Sequence, residues 1–328
     1  MRGKLTAFEK RLCNALQNGL AIIERPYAKI GRALGSDEET AIRRTRGLVE
    51  RGVIRRIGAV VSWRAIGKAG TLVAARVAKE KLKEVVSAVN AIAGVSHNYL
   101  REHHFNLWFT IRADSDGDIE RILKNLSQRF GVEFHSLPAK RIFKLDVRFD
   151  AQSGGRRLLP ISEKRMQGNK HRTMNNERRT SNVDEIDEWI LAGIEGGLEV
   201  VERPYDFLCA DGLQIDDVLS RIDKMIVRGV IHRVGAVVDH RKLGFVANAM
   251  FVCEAKKNRA GAIGKALARL QNVSHCYQRE TFKDWPYNLF AMMHGKTHTA
   301  IRHVAERFVR EQGIEAWEVL ATVEKLKK

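Results

Sequence analysis

Two nearly identical stretches of sequence decide the fold: residues 51–61 read RGVIRRIGAVV, and residues 228–238 read RGVIHRVGAVV. Each is part of a longer repeated series. ERPY occurs at residues 24–27 and 202–205, and a histidine motif occurs as VSHNYLR at residues 95–101 and as VSHCYQR at residues 273–279. The blocks recur in one order at offsets of 177 or 178 positions, whereas solenoid repeats are roughly 20–50 residues long. The chain therefore consists of two homologous halves, each the size of a domain.

The composition is that of a globular protein with two cores: 328 residues, of which 44% are hydrophobic. The opening MRGKLTAFEKRLC lacks the apolar core of a secretory signal, and no stretch approaches the roughly 18 apolar residues that cross a bilayer. The four cysteines are scattered without zinc-ligand spacing, which is typical of small buried side chains in a reducing compartment. We expect a cytoplasmic protein with no membrane segment.

The chain is strongly basic, with a formal net charge of +18. Such a charge favours a polyanionic partner, either nucleic acid or a small ligand with many carboxylates. Part of the charge has another explanation. Residues 151–182 break every hydrophobic period and carry eight Lys/Arg against two Glu, as expected of a basic, flexible linker between the halves.

Each half shows the same order of predicted elements. Residues 1–53 and 183–230 have the apolar spacing of short helices separated by turns, which predicts a helix-turn-helix in each half. In the first half Ser36, with a glutamate three residues later, fits an N-cap. Residues 54–150 and 231–328 begin with a hinge strand and continue in the ferredoxin-like order βαββαβ. The predicted class is α+β, a tandem duplication packed as an internal pseudo-dimer.

A helix-turn-helix followed by a GVI-x-R hinge strand and a βαββαβ domain resembles the Lrp/AsnC family of transcription factors. Within that superfamily, the segments RRIGAVV, RVGAVVDHRKLGF, VSHCYQRE and WPYNLFAMMHG resemble the siroheme decarboxylases, which share the fold and act on a tetrapyrrole. The resemblance covers both halves apart from the linker. It implies that siroheme loses the carboxyl groups of two acetate side chains as CO2, which gives didecarboxysiroheme.

The resemblance also has implications for cofactors and partners. It implies no organic cofactor, because the iron tetrapyrrole arrives as the substrate. Fused enzymes of this kind belong to the pathway to d1-type haem, and separate-subunit forms serve an alternative haem pathway. The expected partners are the tetrapyrrole, other haem-biosynthesis enzymes and, in a homo-oligomer, a second copy of the chain; nucleic acid and membranes are not expected.

Alternate residues of a strand share a face, so each histidine motif projects a histidine, a tyrosine and an arginine together. Loss of CO2 from an acetate leaves negative charge on carbon, and histidine is the natural proton donor near neutral pH. One of the two histidines could instead ligate the substrate iron. A strand histidine can also be purely structural, but the recurrence of the whole motif favours function. The candidates for catalysis are His97, His275 and Tyr277.

Siroheme carries many carboxylates, and an arginine fork binds a carboxylate in a bidentate manner. Arg101 and Arg279 on the histidine strands are therefore expected to bind substrate. Arg56 and Arg233 in the hinge strands are further candidates, for which a solvated surface charge is an equal alternative.

The halves differ after the histidine motif: the first reads EHHFNLWF, and the second reads ETFKDWPYNLF. Trp285 and Asn288 match the decarboxylase motif and are expected to bind substrate, although aromatic side chains here could stack on a macrocycle or fill the core. His104 is the first-half candidate, in a separate or a shared site. Its neighbour His103 shares the parity of His97 if the strand extends that far.

Two other functions are compatible with these features. A DNA-binding regulator that senses a small ligand would explain the charge, but the second candidate recognition helix has three aspartates that offset its basic residues. A tetrapyrrole carrier would use the same histidines and arginines without turnover. We expect an enzyme, a carboxy-lyase, in which the helix-turn-helix is a structural remnant.

Overall fold

The structure, a computed structural model, describes residues 4–145, 148–152, 183–210 and 212–327. The predicted linker at residues 151–182 lies outside these ranges except for its first two positions. The first half contains these elements in order: α1 (Ala7–Asn18), α2 (Pro26–Ala33), α3 (Glu38–Glu50), β1 (Ile54–Val61), β2 (Ala69–Ala75), α4 (Lys79–Ala91), β3 (Val95–Arg101), β4 (Leu107–Ala113), α5 (Asp116–Phe130) and β5 (Phe134–Leu145). The helix α3 begins after Asp37 and not after Ser36, because the Asp37 carboxylate accepts a hydrogen bond from the backbone N–H of Thr40 at 2.6 Å.

The second half follows the same plan with one difference. Its elements are α6 (Glu185–Gly196), α7 (Ile215–Arg228), β6 (Ile231–Val238), β7 (Ala247–Cys253), α8 (Ala260–Arg269), β8 (Val273–Arg279), β9 (Leu289–Gly295), α9 (His298–Gln312) and β10 (Trp317–Lys325). The middle helix of the helix-turn-helix is reduced to a short 3-10 turn, Asp206–Leu208. Gly212 follows it with a φ of +84°, a left-handed conformation that cannot continue an α-helix.

The described residues form two compact units, and each unit draws on both halves. The first unit comprises the described parts of residues 4–66, 148–152 and 183–244, and the second comprises residues 67–145 and 245–327. The division therefore runs across the duplication, with both helix-turn-helix segments and both hinge strands in the first unit. No helix in the described ranges is long and apolar enough to cross a membrane.

In the first unit, the hinge strands β1 and β6 pair with each other as a two-stranded antiparallel sheet, with Gly58 opposite Gly235. A Cβ on Gly58 would lie 2.4 Å from the carbonyl oxygen of Ile194, and one on Gly235 would lie 2.5 Å from that of Leu16. Each hinge strand thus packs closely against the first helix of the opposite half. The repeated glycine of the GAVV sequence is required by this close approach.

The second unit is a closed barrel of eight antiparallel strands in the order β10-β3-β4-β2-β5-β8-β9-β7. Each half supplies four neighbouring strands, and the halves join where β5 pairs with β8 and β10 pairs with β3. The predicted fold class is confirmed, and the pseudo-dimer forms edge to edge. Closure pairs the backbone groups of every edge strand, which removes the exposed edges of two separate sheets.

Three hydrophobic clusters stabilise the barrel unit. Two of them lie between the sheet and the helices of one half each. The third cluster, which we call the interior cluster, is formed by side chains on the opposite face of the strands and by the loops that follow β3 and β8; it consists of Ala74, Phe105, Trp108, Leu137, Met250, Val252, Trp285, Phe290 and Leu320. It fills one end of the barrel, the end at which the β3–β4 and β8–β9 connections turn.

Candidate active site

The first histidine motif forms a row on the interior wall of the barrel. Tyr99 pairs with Trp108 across β3 and β4, and Trp108 belongs to the interior cluster. Paired residues of an antiparallel ladder share a face, so Tyr99 points inward as well. The ring of His97 stacks at 6.3 Å from that of Tyr99, and the guanidinium carbon of Arg101 lies 5.3 Å from the same tyrosine ring. The structure therefore brings the three side chains together on one face.

The second histidine motif has nearly the same geometry. Tyr277 pairs with Phe290, another residue of the interior cluster. The rings of His275 and Tyr277 are 6.2 Å apart with an interplanar angle of 19°, the angle that the first row also shows. The guanidinium carbon of Arg279 lies 4.6 Å from the Tyr277 ring. Burial raises the pKa of Tyr277, against the lowering effect of the Arg279 cation, so its phenol is held in the protonated form.

The two rows lie on opposite walls and point the same way. In the barrel order β3 and β8 are four strands apart, and because every pairing is antiparallel the two strands run in the same direction. Both histidines therefore lie at one end, and both arginines lie about 13 Å deeper, at roughly 3.3 Å per residue. His97 is exposed and His275 is half-buried. We call this the histidine end of the barrel.

The two arginines connect the halves at the seams where β10 pairs with β3 and β5 pairs with β8. Nη1 of Arg101 donates to the carbonyl oxygen of Leu320 at 3.0 Å, and Nη1 of Arg279 donates to that of Leu137 at 2.6 Å. Arg101 makes two further bonds to side chains of the second half, from Nη1 to Oγ1 of Thr322 at 3.0 Å and from Nη2 to Sδ of Met292 at 3.6 Å. Burial lowers the pKa of each guanidinium to about 10, which leaves both charged at neutral pH. Each arginine also has a buried Nε without a hydrogen-bond partner.

A serine precedes each histidine and contacts its ring. Ser96 Oγ lies 3.0 Å from Nδ1 of His97, and Ser274 Oγ lies 2.9 Å from Nδ1 of His275. Neither serine was among the sequence candidates, although both belong to the repeated VSH sequence and recurrence was the available signal. His294, whose Nε2 is 2.8 Å from Ser274 Oγ, was also missed.

The other end of the barrel is closed by aromatic side chains of the two hairpins. Strand β3 ends at Arg101, so the predicted parity does not reach His103, and His104 is exposed in the turn. Trp285 is 1% exposed and packs edge-on against the ring of His103 at 5.5 Å. Burial lowers the pKa of His103, although the carboxylate of Glu318, 3.2 Å from its Nε2, acts in the opposite direction. The hairpins of the two halves thus meet, at the end away from His97 and His275.

Asn288 is tied to backbone in a way that recurs in the first half. Its side-chain oxygen accepts from the N–H of Ala255 at 2.9 Å, and its amide nitrogen donates to the carbonyl of Ala255 at 2.8 Å. Asn106 makes the same two bonds to Val77 at 2.9 and 2.8 Å. These bonds give the repeated asparagine a structural role in both halves. Contact with substrate stays a prediction for Asn288, as it does for Trp285 and His104.

The hinge arginines Arg56 and Arg233 belong to the first unit. Each is half-buried, and each has an Nη1 atom 3.4 Å from a carbonyl oxygen of its own strand, that of Ala59 or Ala236. The two arginines thus make the same contact at equivalent positions of the two halves. Their role in substrate binding stays a prediction.

Two family matches define the class of protein. The family described as an AsnC-like ligand binding domain matches residues 65–144 and 242–327, and the family described as a siroheme decarboxylase NirDL-like HTH domain matches residues 9–55. Barrel and helices together thus make a helix-turn-helix protein with a duplicated AsnC-like ligand-binding domain. The siroheme decarboxylase of Hydrogenobacter thermophilus is 32% identical over 321 residues, which are 97% of this chain and 92% of that protein. This chain belongs to the siroheme decarboxylase family, a family of decarboxylating enzymes.

Two further relatives differ in how much of this chain they match: one is a separate subunit that matches a single half, and the other is a single chain that matches both halves. The alpha subunit of siroheme decarboxylase from Desulfovibrio desulfuricans is 41% identical over 145 residues, which are 44% of this chain and 84% of the subunit. The crystal structure of the siroheme decarboxylase NirDL in co-complex with an iron-uroporphyrin III analogue matches with a TM-score of 0.69 and 28% identity, over 98% of this chain and 92% of that one.

Proposed function

We propose that this chain removes the carboxyl groups of two acetate side chains of siroheme, at the histidine end of the barrel, and releases didecarboxysiroheme. The observation that carries the proposal is the pair of His–Tyr–Arg rows on opposite walls. Two rows of the same composition suit a substrate that reacts twice. The related NirDL enzyme was crystallised with an iron-uroporphyrin III analogue, which is also an iron tetrapyrrole with carboxylate side chains.

In the proposed reaction, the bond between the acetate CH2 and its carboxyl carbon breaks and CO2 leaves. The electron pair that stays on the CH2 carbon takes a proton, which gives a methyl group. We assign the proton transfers to His97 and His275, because general acid catalysis by histidine is typically worth roughly a hundred- to ten-thousandfold in rate. The phenol of Tyr277, kept protonated by burial, is a hydrogen-bond donor beside His275.

The arginines supply positive charge below the histidines. Among the described residues no carboxylate forms an ion pair with Arg101 or Arg279, and both are more than nine-tenths buried. A buried cation without a counter-charge is costly, and a carboxylate of the substrate would provide one. We therefore propose that these two side chains attract and bind substrate carboxylates, as the sequence suggested.

The barrel end that holds the two histidines is the proposed entry for the substrate. An eight-stranded barrel is just wide enough for its own side chains or one small ligand. We propose that the tetrapyrrole binds at the histidine end with its carboxylate arms directed inward, along the two rows toward Arg101 and Arg279. The iron arrives with the substrate, and either histidine remains a candidate for its axial ligand. No other cofactor enters the proposal.

The regulator alternative gains no support from the second helix-turn-helix. Two of the three basic residues of α7 form ion pairs inside the unit: Arg221 pairs with Asp184 at 2.8 Å, and Arg228 pairs with Asp187 at 2.9 Å. These arginines are therefore less available to neutralise phosphates. We propose that the helix-turn-helix segments act as structural parts of the enzyme and that the product passes to other haem-forming enzymes.

The test is anaerobic incubation of the purified chain with siroheme, followed by mass spectrometry of the tetrapyrrole. The wild type should release a product that has lost two CO2 units. The double variant His97→Ala/His275→Ala, checked for intact folding by circular dichroism and for tetrapyrrole binding by absorption, should leave the mass unchanged. Tight binding by the wild type with no change of mass would contradict the proposal and identify a carrier.

A further inference from the structure

A serine hydroxyl connects His275 to a second imidazole in the barrel wall. Besides its 2.9 Å contact with Nδ1 of His275, Ser274 Oγ lies 2.8 Å from Nε2 of His294. Its remaining contact, with the carbonyl oxygen of Met292, is 3.4 Å long and much weaker. Ser274 is fully buried and His294 is 8% exposed, so bulk water competes little for these bonds.

The first half has the same serine with a different second partner. Ser96 Oγ lies 2.9 Å from Oγ1 of Thr110, which occupies the position that Met292 has in the second half. A threonine hydroxyl turns about its C–O bond, whereas an imidazole nitrogen has one fixed direction in the plane of its ring. Ser96 is also only half-buried. The serine of the second half is therefore held more rigidly.

The described residues at the paired strand positions around the two imidazoles are uncharged. The residue paired with His275 on β5 is Leu145, and the residue paired with His294 on β7 is Asn248. The ionisable side chains that follow on the same face of β8 are Tyr277, whose ring stacks at 6.2 Å from that of His275, and Arg279, whose guanidinium carbon lies 4.6 Å from the tyrosine ring. The contact with Ser274 joins Nδ1 of His275 to a fully buried hydroxyl and so restricts the orientation of the ring.

We propose that Ser274 and His294 are positioning residues, which hold the His275 ring with Nδ1 against the wall and Nε2 toward the barrel interior. Nε2 is then the atom that gives a proton to the substrate carbon, a step that rests on the proposed decarboxylation. As the carboxyl C–C bond breaks and CO2 leaves, the electron pair on carbon takes the Nε2 proton of the imidazolium. His275 becomes neutral and keeps its remaining proton on Nδ1, from which it donates a hydrogen bond to Ser274 Oγ. The serine hydroxyl in turn donates a hydrogen bond to Nε2 of His294.

The kinetic test compares variants of the two proposed positioning residues with a matched control variant on strand β8. Ser274→Ala and His294→Leu should each lower kcat by roughly tenfold to a hundredfold, the loss typical when a group that orients a reactive histidine is removed, with KM changed less than about twofold. His294→Gln offers its side-chain oxygen as a hydrogen-bond acceptor near the position of Nε2, so its kcat should fall less than that of His294→Leu. Cys276→Ala alters the next residue, which faces the helices, and should keep kcat. A kcat for Ser274→Ala within about twofold of that for Cys276→Ala overturns the proposal.

A second measurement needs no substrate and so separates this inference from the decarboxylation itself. Protein labelled with 15N-histidine, with His275 assigned by the loss of its signals in His275→Gln, should show distinct 15N shifts for one fixed ring state of His275. In Ser274→Ala the two ring nitrogens should move toward a common, averaged shift. An averaged ring in the wild type overturns the positioning role. A fixed ring in a chain that leaves siroheme unchanged keeps the positioning role and rejects the proposed function.

Discussion

The two histidine rows share the groups that face the barrel interior and differ in the groups that hold them. The ring separations, 6.3 and 6.2 Å, and the interplanar angle of 19° are almost the same in both halves. Behind the rings, Ser96 contacts the hydroxyl of Thr110, whereas Ser274 contacts the imidazole of His294. After the duplication, the row itself has thus been retained, while the groups that contact the histidine from behind have diverged. The two halves therefore present the same three side chains to the barrel interior but differ in the second partner of the serine that contacts the histidine.

The largest effect is expected when one row loses its histidine. If each row serves one acetate, His97→Ala and His275→Ala should each release a tetrapyrrole that has lost a single CO2. The second loss should slow by roughly a hundred- to ten-thousandfold, the usual worth of a general acid. Time-resolved mass spectrometry under anaerobic conditions measures this directly. Loss of both CO2 units at normal rates in either variant would show that one row serves both acetates.

A smaller effect, on stability, should distinguish the two arginines. Arg101→Ala and Arg279→Ala each remove hydrogen bonds across the seams between the halves and leave a cavity, so each should reduce the free energy of unfolding by about 2–4 kcal/mol. Arg101 should cost about 1 kcal/mol more, because it also bonds Thr322 Oγ1 whereas the corresponding position beside Arg279 is Ala139. Urea unfolding without substrate provides the values. Thr322→Ala is the control, since it should remove most of the difference and leave Arg279 unaffected.

The paired asparagines should behave alike, in contrast to the arginines. Asn106→Ala and Asn288→Ala each leave one N–H and one carbonyl of the adjacent backbone without a partner, so each should reduce the free energy of unfolding by about 2 kcal/mol. Their hydrogen-bond lengths agree within each pair. Thermal or urea unfolding of the two variants in parallel is the measurement. A much larger loss of turnover than of stability for Asn288→Ala alone would instead support the predicted contact with substrate.

Much of this arrangement follows from local sequence patterns. The duplication is explicit in the repeated blocks, and a period of two residues along β3 and β8 is enough to place histidine, tyrosine and arginine on one face. Both are properties of short segments. They were therefore predictable without knowledge of the tertiary structure.

The support of the rows depends on tertiary structure. A β-bulge lies between Val95 and His97, and another lies between Val273 and His275. At a bulge two residues oppose one, so the intervening serine can contact the histidine ring, which strict alternation would not allow. The acceptors of the arginines are backbone oxygens of strands from the other half, and the sequence does not specify the register of such distant pairings. These features explain why the serines and the seams were missed while the rows were found.

The smallest effect concerns a buried carboxylate that occurs at the equivalent position in each helix-turn-helix segment. Glu9 pairs with Arg51 at 2.8 Å, and at the equivalent position Asp187 pairs with Arg228 at 2.9 Å. Burial alone would raise the pKa of Glu9, but the hydrogen bond from the Thr6 backbone N–H and the Arg51 cation outweigh it and lower the pKa. A carboxyl whose pKa is lowered by folding stabilises the folded state above its unfolded pKa of about 4.3, and that contribution is lost as the pH falls through the folded pKa.

Wild type should therefore lose slightly more stability than Glu9→Gln between about pH 5 and pH 3, by less than about 1 kcal/mol. Chemical unfolding at several pH values measures the difference between the two curves. Asp187→Asn is the second-half comparison. Its carboxylate also accepts from Arg221 at 2.9 Å, so at neutral pH its replacement should destabilise the protein more than Glu9→Gln does. Equal losses would mean that the second arginine adds nothing, and the two segments would then be equivalent in stability despite their different pairing.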